Sequence, residues 1–232
     1  MALFDTLIDL DARVTRNIVS LRVSQDLFDD LVDDAAAQRA AIAADMQVRH
    51  APPGIIERGL LYSEAIGYPF TSDITVSSRF GDGTVRVWYG AMDEATARAE
   101  TCWHALQQVL ALEGETDVII RYRAVYQVRA QGLFLELRGK HVDHPEILSN
   151  DYAATQAIGK HASSQGLPGL LYASARCRDG NCLAAFRPDP LSEASLSHYL
   201  TYRIDPVGQT VEIERVPGVV DERFHVGVLT RH

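Results

Sequence analysis

The sequence predicts an α+β fold in which helices lie between groups of strands. Short runs of β-branched and aromatic residues recur after residue 55, and helical patterns separate groups of these runs. The runs also outnumber the helices, without the one-for-one alternation that is typical of a doubly wound parallel sheet. We therefore expect mixed or antiparallel sheets, preceded by an N-terminal helical segment.

The first 47 residues are predicted to be helical, because apolar residues recur there every three or four positions. These residues are Leu3, Leu7, Leu10, Val14, Ile18 and Leu21. A second helix is predicted from an N-cap at Ser24 to Met46. The following His50-Ala-Pro-Pro-Gly54 breaks the helical pattern, so we expect a helical segment at residues 1–50 and the main domain at 51–232. The segment either packs as a helical hairpin or binds a partner.

Local patterns predict the elements of the main domain. Strands are expected at residues 60–66, 74–80, 85–90, 116–128, 169–174, 182–187, 196–204 and 209–216. Gly81-Asp82-Gly83 is expected to join the second and third strands as a hairpin. Helices are expected at residues 92–112, with Asp93 as the N-cap, and at 151–163.

Composition narrows the classes of function. The 232 residues carry a formal charge of −9, which disfavours binding to a nucleic acid. No apolar run is long enough to span a bilayer, and the first residues do not resemble a signal peptide, so we expect a cytoplasmic protein without a membrane contact. The three cysteines, Cys102, Cys177 and Cys182, are expected to be free thiols.

Neither a metal site nor a serine hydrolase is expected. Cys177 and Cys182 lack a second Cys or His pair nearby, and His141 and His144 lack the helical spacing of a zinc protease. Ser174 is not part of a Gly-x-Ser-x-Gly elbow.

Three polar residues stand out by their order along the chain. Arg79 lies in Ser78-Arg79-Phe80 and Tyr89 in the aromatic run Trp88-Tyr89-Gly90-Ala91. Glu100 lies in the run Glu94-Ala-Thr-Ala-Arg-Ala-Glu100-Thr101 of the helix predicted at residues 92–112. Each alone has an ordinary structural explanation: a surface charge for Arg79, an amphipathic core residue for Tyr89 and a solvated helix face for Glu100. Their significance therefore depends on the pattern that they form together.

This order resembles the opening motif of the RES family of bacterial toxins, which is named after an Arg, a Glu and a Ser. A further motif matches in Gly169-Leu-Leu-Tyr-Ala-Ser174-Ala-Arg176, followed by Gly180-Asn181. The resemblance spans roughly residues 58 to 190 and implies a compact fold related to the ADP-ribosyltransferases. It also implies NAD⁺ as the substrate and an antitoxin partner, usually an Xre-type helix-turn-helix protein, with a homodimer within that complex as a further expectation.

The activity implied by the resemblance is cleavage of the nicotinamide–ribose bond of NAD⁺. Family members degrade NAD⁺ by hydrolysis or phosphorolysis, or transfer its ADP-ribose to a protein, so the acceptor stays open. A catalytically silent module that binds an antitoxin or senses a ligand is a third alternative. The intact set of Arg, Tyr, Glu and Ser disfavours it.

The chemistry of the residues agrees with this reaction. The planar guanidinium of Arg79 suits the pyrophosphate, and the ring of Tyr89 offers a flat face to nicotinamide or its ribose. The carboxylate of Glu100 would stabilise the oxocarbenium-like ribose that forms as nicotinamide leaves. Nicotinamide departs as a neutral molecule, so no general acid is required.

Three more residues are candidates for binding the substrate. Ser174 is expected to bond the nicotinamide amide or a ribose hydroxyl. His104, four residues after Glu100, shares its helix face and is expected either to orient the carboxylate, to contact the ligand or simply to pack. Arg58 lies about where family members carry an earlier phosphate-binding arginine, although Gly59 follows it where an aromatic residue is often seen.

Overall fold

The computed structural model describes residues 3–20, 63–71 and 77–229, and its main feature is an eight-stranded sheet. The strands are β1 (Leu7–Val19), β2 (Trp88–Ala91), β3 (Ile119–Glu136), β4 (Gly169–Ala173), β5 (Asn181–Ala185), β6 (Leu191–Asp205), β7 (Thr210–Val216) and β8 (Val219–His225). Within the described ranges, β3 and β4 are parallel and the other paired strands are antiparallel. A mixed sheet with a few helices agrees with the predicted α+β class, and the relation to ADP-ribosyltransferases stays a prediction.

Five of the strands form a closed ring. The order along the sheet is β1-β2-β5-β4-β3-β6-β7-β8, and β1 also pairs with β3 along its whole length, from Leu7↔Leu135 to Val19↔Arg123. Ring closure between β1 and β2 is a single pairing, Thr15↔Ala91. Strands β6, β7 and β8 continue the sheet from the other edge of β3, so β3 belongs both to the ring and to this extension.

The helices are short apart from two. A π-helical turn (Ser63–Gly67) leads into α1 (Tyr68–Thr71), and α2 (Glu94–Leu110), α3 (Ala153–Ser164) and α4 (Val226–Leu229) follow, with 3-10 turns at Lys140–Val142 and Pro145–Leu148. The carboxylate of Asp93 accepts a bond from the Thr96 amide at 2.7 Å, which confirms the predicted N-cap of α2. No helix in the described part of the chain is long and apolar enough to cross a membrane.

The buried apolar side chains form three clusters. The first fills the ring around Trp88 and Phe134, and the second packs α3 on the sheet around Phe80 and Leu135. The third packs α2 on β6 and β7 around Tyr202. The three cysteines are free thiols, as expected.

The helix predicted at the start of the chain is wrong between Leu7 and Val19, where the structure has β1. Apolar positions 10, 14 and 18 lie four residues apart, a spacing that fits one face of a helix and also one face of a strand. Exposed charged residues at positions 9, 11 and 13 alternate with them, which is the pattern of a half-buried strand. Pairing with β3 along the whole segment favours the strand.

The strands predicted at residues 60–66 and 74–80 are also wrong where they can be checked, and so is the hairpin predicted between 74–80 and 85–90. Residues 63–66 belong to the π-helical turn, residues 77–80 are irregular, and β2 starts only at Trp88. The predicted helix at 24–46, the boundary near residue 50 and Arg58 lie outside the described residues. Strand β8 was not predicted from the sequence.

Gly159 brings α3 against the segment that carries Arg79. A Cβ atom at this position would lie 2.0 Å from the Phe80 carbonyl oxygen, far inside the usual contact distance. The absent side chain therefore lets the helix pack directly on the backbone beside Arg79.

We predict that Gly159→Ala destabilises the protein, although alanine is the better helix former. Overpacking against the Phe80 backbone should lower the free energy of unfolding by roughly 1–3 kcal/mol, measured by urea denaturation. Gly227→Ala in α4 is the matched control, because a Cβ there meets nothing within 4 Å. Equal effects of the two substitutions would contradict the close packing at Gly159.

Candidate functional site

Glu100 projects from the middle of α2 toward the turn that follows β4. Its Oε1 atom accepts a hydrogen bond from Ser174 Oγ at 2.6 Å and another from the Ala175 amide at 3.1 Å. Two donors thus fix one oxygen of this carboxylate. Both belong to the motif at residues 169–176 that the sequence analysis identified.

Ser174 is 1% exposed and uses its full hydrogen-bonding capacity. Its hydroxyl donates to Glu100 and accepts from the amides of Arg176 at 3.0 Å and Cys177 at 2.9 Å. In this arrangement Ser174 contacts Glu100 and its own turn. A bond from Ser174 to a ligand, as expected from the sequence, would require one of these bonds to be exchanged.

The turn after Ser174 packs directly on the first turn of α2. The Ser174 amide donates to the Gly180 carbonyl oxygen at 2.8 Å, which closes the turn. A Cβ at Gly180 would lie 2.4 Å from Thr96 Oγ1, so glycine permits the close approach. This contact sets the distance between the helix of Glu100 and the turn of Ser174.

Arg79 is 7% exposed and holds the loop between β3 and α3. Its Nη1 donates to the carbonyl oxygens of Ile147 at 2.8 Å and Ser149 at 2.7 Å, and its Cζ lies 4.9 Å from the centre of the Tyr152 ring. The guanidinium is thus a buried positive charge whose Nη1 is already committed to the protein backbone.

The Tyr89 side chain bonds the two neighbours of Arg79 in the sequence, so the two residues come close without the predicted hairpin. The Tyr89 hydroxyl accepts a bond from the Phe80 amide at 2.9 Å and shares a bond with Ser78 Oγ at 2.9 Å. Burial raises the pKa of Tyr89 to about 12, so the hydroxyl is neutral at physiological pH. The Gln156 side chain of α3 donates to the Ser78 carbonyl oxygen at 3.1 Å. This backbone acceptor thus has a hydrogen-bond partner although residues 77–80 form no strand.

Sequence reasoning did not identify Arg176 as a site residue. Its side chain is 6% exposed, its Cζ lies 3.5 Å from the centre of the Trp103 ring, and its Nη2 donates to Asn150 Oδ1. Burial lowers the pKa of Arg176, the charge of Glu100 raises it and the charge of Arg79 lowers it. Its place two residues after Ser174, inside the third motif, was the available signal.

His104 occupies the face of α2 next to Glu100, with its ring centre 4.9 Å from that of Trp103. The pKa of His104 is lowered, although the side chain reaches the surface. Desolvation by the surrounding protein is the main cause, and the charges of Arg176, Arg79 and Arg123 act in the same direction. The carboxylate of Glu100 opposes this shift.

The structure brings five of the six predicted residues into one region. Glu100 accepts a hydrogen bond from Ser174. The charge of Glu100 raises the pKa of His104 and the charge of Arg79 lowers it. Burial raises the pKa of Tyr172 well above its usual value, and Glu100, Tyr89 and Arg79 also influence this pKa. No cluster of three or more His, Cys, Asp or Glu side chains suited to a metal occurs in residues 3–20, 63–71 and 77–229.

A cavity of about 270 Å³ lies elsewhere, where α2 meets β7 and β8. The charged groups that line it are paired with one another: Arg98 and Arg215 both contact Glu94, and Arg98 also contacts Glu222. None of the residues predicted from the sequence as site residues lines this cavity, so the candidate site is the group around Glu100.

The fold and the site define a small protein of mixed α and β structure in which a fixed carboxylate lies near two buried arginines. A family model, that of the RES domain, matches residues 58–205. The chain therefore belongs to the RES domain family.

Among solved structures, the chain is similar to the crystal structure of the M. tuberculosis MbcT–MbcA toxin–antitoxin complex, with 14% sequence identity and a TM-score of 0.44. The match covers 87% of this chain and 88% of the other. No curated protein matches the sequence.

We predict that Ser174→Ala lowers the free energy of unfolding by about 1–3 kcal/mol, because buried amides and one carboxylate oxygen lose their partner. Denaturant unfolding measures the change. Ser164→Ala is the matched control, since Ser164 is exposed and bonds only a carbonyl oxygen near the end of α3 in the described structure. A loss in Ser174→Ala no larger than in the control would argue against the bonds described.

We predict that the imidazole of His104 titrates below pH 6.5 in the folded protein. The unfolded chain then binds the proton more readily, so the contribution of His104 to stability is present above pH 6.5 and decreases as the pH falls toward the folded pKa. Glu100→Gln should lower this pKa further, because it removes the charge that favours the imidazolium. Titration followed by NMR, with His104→Asn for assignment, tests both points, and a midpoint above 6.5 would contradict them.

Proposed function

We propose that this protein is the toxin of a toxin–antitoxin system, and that it binds NAD⁺ and cleaves the nicotinamide–ribose bond. The observation that carries this proposal is the fixed carboxylate of Glu100, held by Ser174 and Ala175 near two buried arginines. Membership of the RES domain family supports it.

The reaction needs stabilisation of positive charge more than proton transfer. As the bond between ribose C1′ and the nicotinamide nitrogen breaks, its electron pair neutralises the pyridinium, and positive charge develops on the ribose. A carboxylate near this charge lowers the barrier. Ser174 and Ala175 hold Oε1, so Glu100 would present its charge without reorganising when the charge develops.

The neighbouring residues would bind and orient the dinucleotide. Arg79 would contribute a positive charge toward the phosphates, while its Nη1 keeps the 147–149 backbone in place. The ring of Tyr89 would contact nicotinamide or its ribose, since two hydrogen bonds hold the hydroxyl in the protein. We assign Ser174 to positioning Glu100. His104, neutral at pH 7, would contact ribose or phosphate, and Arg58 is a further phosphate-binding candidate.

The acceptor distinguishes two versions of this function. Water or inorganic phosphate as acceptor would make the protein an NAD⁺-degrading enzyme, and a protein acceptor would make it a mono-ADP-ribosyltransferase. We favour degradation. We expect the partner to be an Xre-type antitoxin that blocks the site, in the cytoplasm, with a homodimer within the complex and no direct contact to nucleic acid.

Incubation with NAD⁺ labelled in its adenylate part tests the function and the acceptor together. Free labelled ADP-ribose indicates hydrolysis, its 1″-phosphate indicates phosphorolysis, and label on a protein band in cell extract indicates transfer. If antitoxin-free protein released no nicotinamide under any of these conditions, a silent module would be the better interpretation.

We predict that Glu100→Gln lowers the rate of nicotinamide release by about 100-fold or more, because it removes the charge that stabilises the transition state. Gln keeps an oxygen that can accept the bonds of Ser174 and Ala175, so circular dichroism should be unchanged. Glu113→Gln, in the exposed loop after α2, is the matched control and should retain activity. Full activity of Glu100→Gln would show that another group stabilises the ribose.

A further inference from the structure

Two buried N–H donors next to Glu100 have no partner. Arg176 Nε and Trp103 Nε1 are both inaccessible to solvent and make no hydrogen bond in the described structure. The two groups belong to one stack, since the guanidinium carbon lies 3.5 Å from the indole centre. Buried donors without an acceptor cost free energy, and two of them together are unusual in a well-packed protein.

The charge of Arg176 is also incompletely balanced. The acceptor of its Nη2 is the amide oxygen of Asn150, and a side-chain hydrogen bond with Tyr152 raises the pKa of Arg176. Glu100 is the carboxylate that acts on it, but Oε1 of Glu100 is occupied by Ser174 and Ala175. Arg176 is 6% exposed and its Nη2 bonds an uncharged amide oxygen, so its charge suits an anionic partner.

The surroundings add to this local excess of positive charge. Arg79 and Arg176 both bond the 147–152 segment, Arg79 at the carbonyl oxygens of Ile147 and Ser149 and Arg176 at Asn150. The carboxylate of this segment, Asp151, is exposed and accepts a bond from the Ala153 amide, so it does not pair with either guanidinium. The chain as a whole carries −9. An anion would therefore be repelled over most of the surface and attracted here.

We propose that Arg176 and Trp103 form a phosphoryl-binding subsite, in which Arg176 Nε and Trp103 Nε1 donate to phosphate oxygens of the ligand. This inference rests on the proposed function, because the ligand it takes is the pyrophosphate of the dinucleotide. Asn150 fixes the far end of the guanidinium, and the indole face fixes its plane. Tyr152 stands between this subsite and Arg79.

The test is equilibrium binding of ADP to the intact 232-residue chain, measured by calorimetry. ADP carries the diphosphate but no nicotinamide bond, so it is not consumed. Arg176→Gln should weaken binding about tenfold or more, and Trp103→Phe, which keeps an aromatic face but removes the N–H, should weaken it by a smaller factor. Arg187→Gln is the matched control, because Arg187 is half exposed and faces Asp189 at 3.7 Å.

Tryptophan fluorescence supplies a second readout that does not depend on Arg176 variants folding. The chain has two tryptophans, and Trp88 is fully buried and bonded to the Ala65 carbonyl oxygen. ADP should therefore change the emission of the unmodified protein, and Trp103→Phe should abolish that change. Absence of any change in the unmodified protein at saturating ADP would count against the subsite.

Inorganic phosphate as a second probe identifies the source of the phosphoryl group. Weaker ADP binding in the Arg176 and Trp103 variants supports the dinucleotide, whereas weaker binding of phosphate alone shows that the subsite holds an acceptor phosphate. Unchanged binding of both probes in folded variants would overturn the subsite.

Nicotinamide release by the unmodified protein keeps this test separate from the proposed function. If nicotinamide is released and the Arg176 variant still binds ADP normally, the subsite is wrong and the function stands. If no nicotinamide is released but ADP binding depends on Arg176, the function is wrong and the subsite stands.

Discussion

The hydrogen bond between Ser174 and Glu100 is the interaction on which the site depends. It joins the middle of α2 to the turn between β4 and β5, two elements that are far apart in the sequence. A hydrogen bond to a charged group contributes about 1.5–3 kcal/mol, more than a neutral one. The second donor is the Ala175 amide, so the backbone of the turn also fixes the position of the carboxylate. Gly180 permits that turn to approach α2 closely enough for both bonds to form.

Around this junction, buried positive charge holds a loop that has little regular structure of its own. Arg79 bonds the carbonyl oxygens of Ile147 and Ser149, and Arg176 bonds Asn150. The loop is thus attached at adjacent residues to two separate segments of the protein, one that carries Arg79 and one that carries Arg176. Groups held in this way need little rearrangement when a charged ligand arrives, which is the condition for electrostatic catalysis.

Much of the site was predictable because its residues lie in short motifs with a recognisable order. Glu100 and Ser174 were assigned from those motifs, and the helix of Glu100 was predicted together with its cap at Asp93. Arg176 was missed, because its role depends on Trp103 and Asn150, which are brought near it only by tertiary packing.

The errors in the fold have the same origin. The apolar spacing in residues 7–19 suits both a helix and a strand, and long-range pairing with β3 decides between them. Near Arg79, the side chains of Tyr89 and Gln156 satisfy backbone groups that a hairpin would otherwise have paired. Local sequence carries no direct sign of such distant partners.

The ring of strands has a consequence for how this domain can be divided. The family match covers residues 58–205, yet β1 lies before it, and β7 and β8 lie after it. Val14 of β1 and Ile213 of β7 are fully buried in two different core clusters. A fragment trimmed to the matched residues would lose the strand that closes the ring and would expose one whole edge of β3. The region that the family model matches is therefore smaller than the sheet that the buried core of this chain requires.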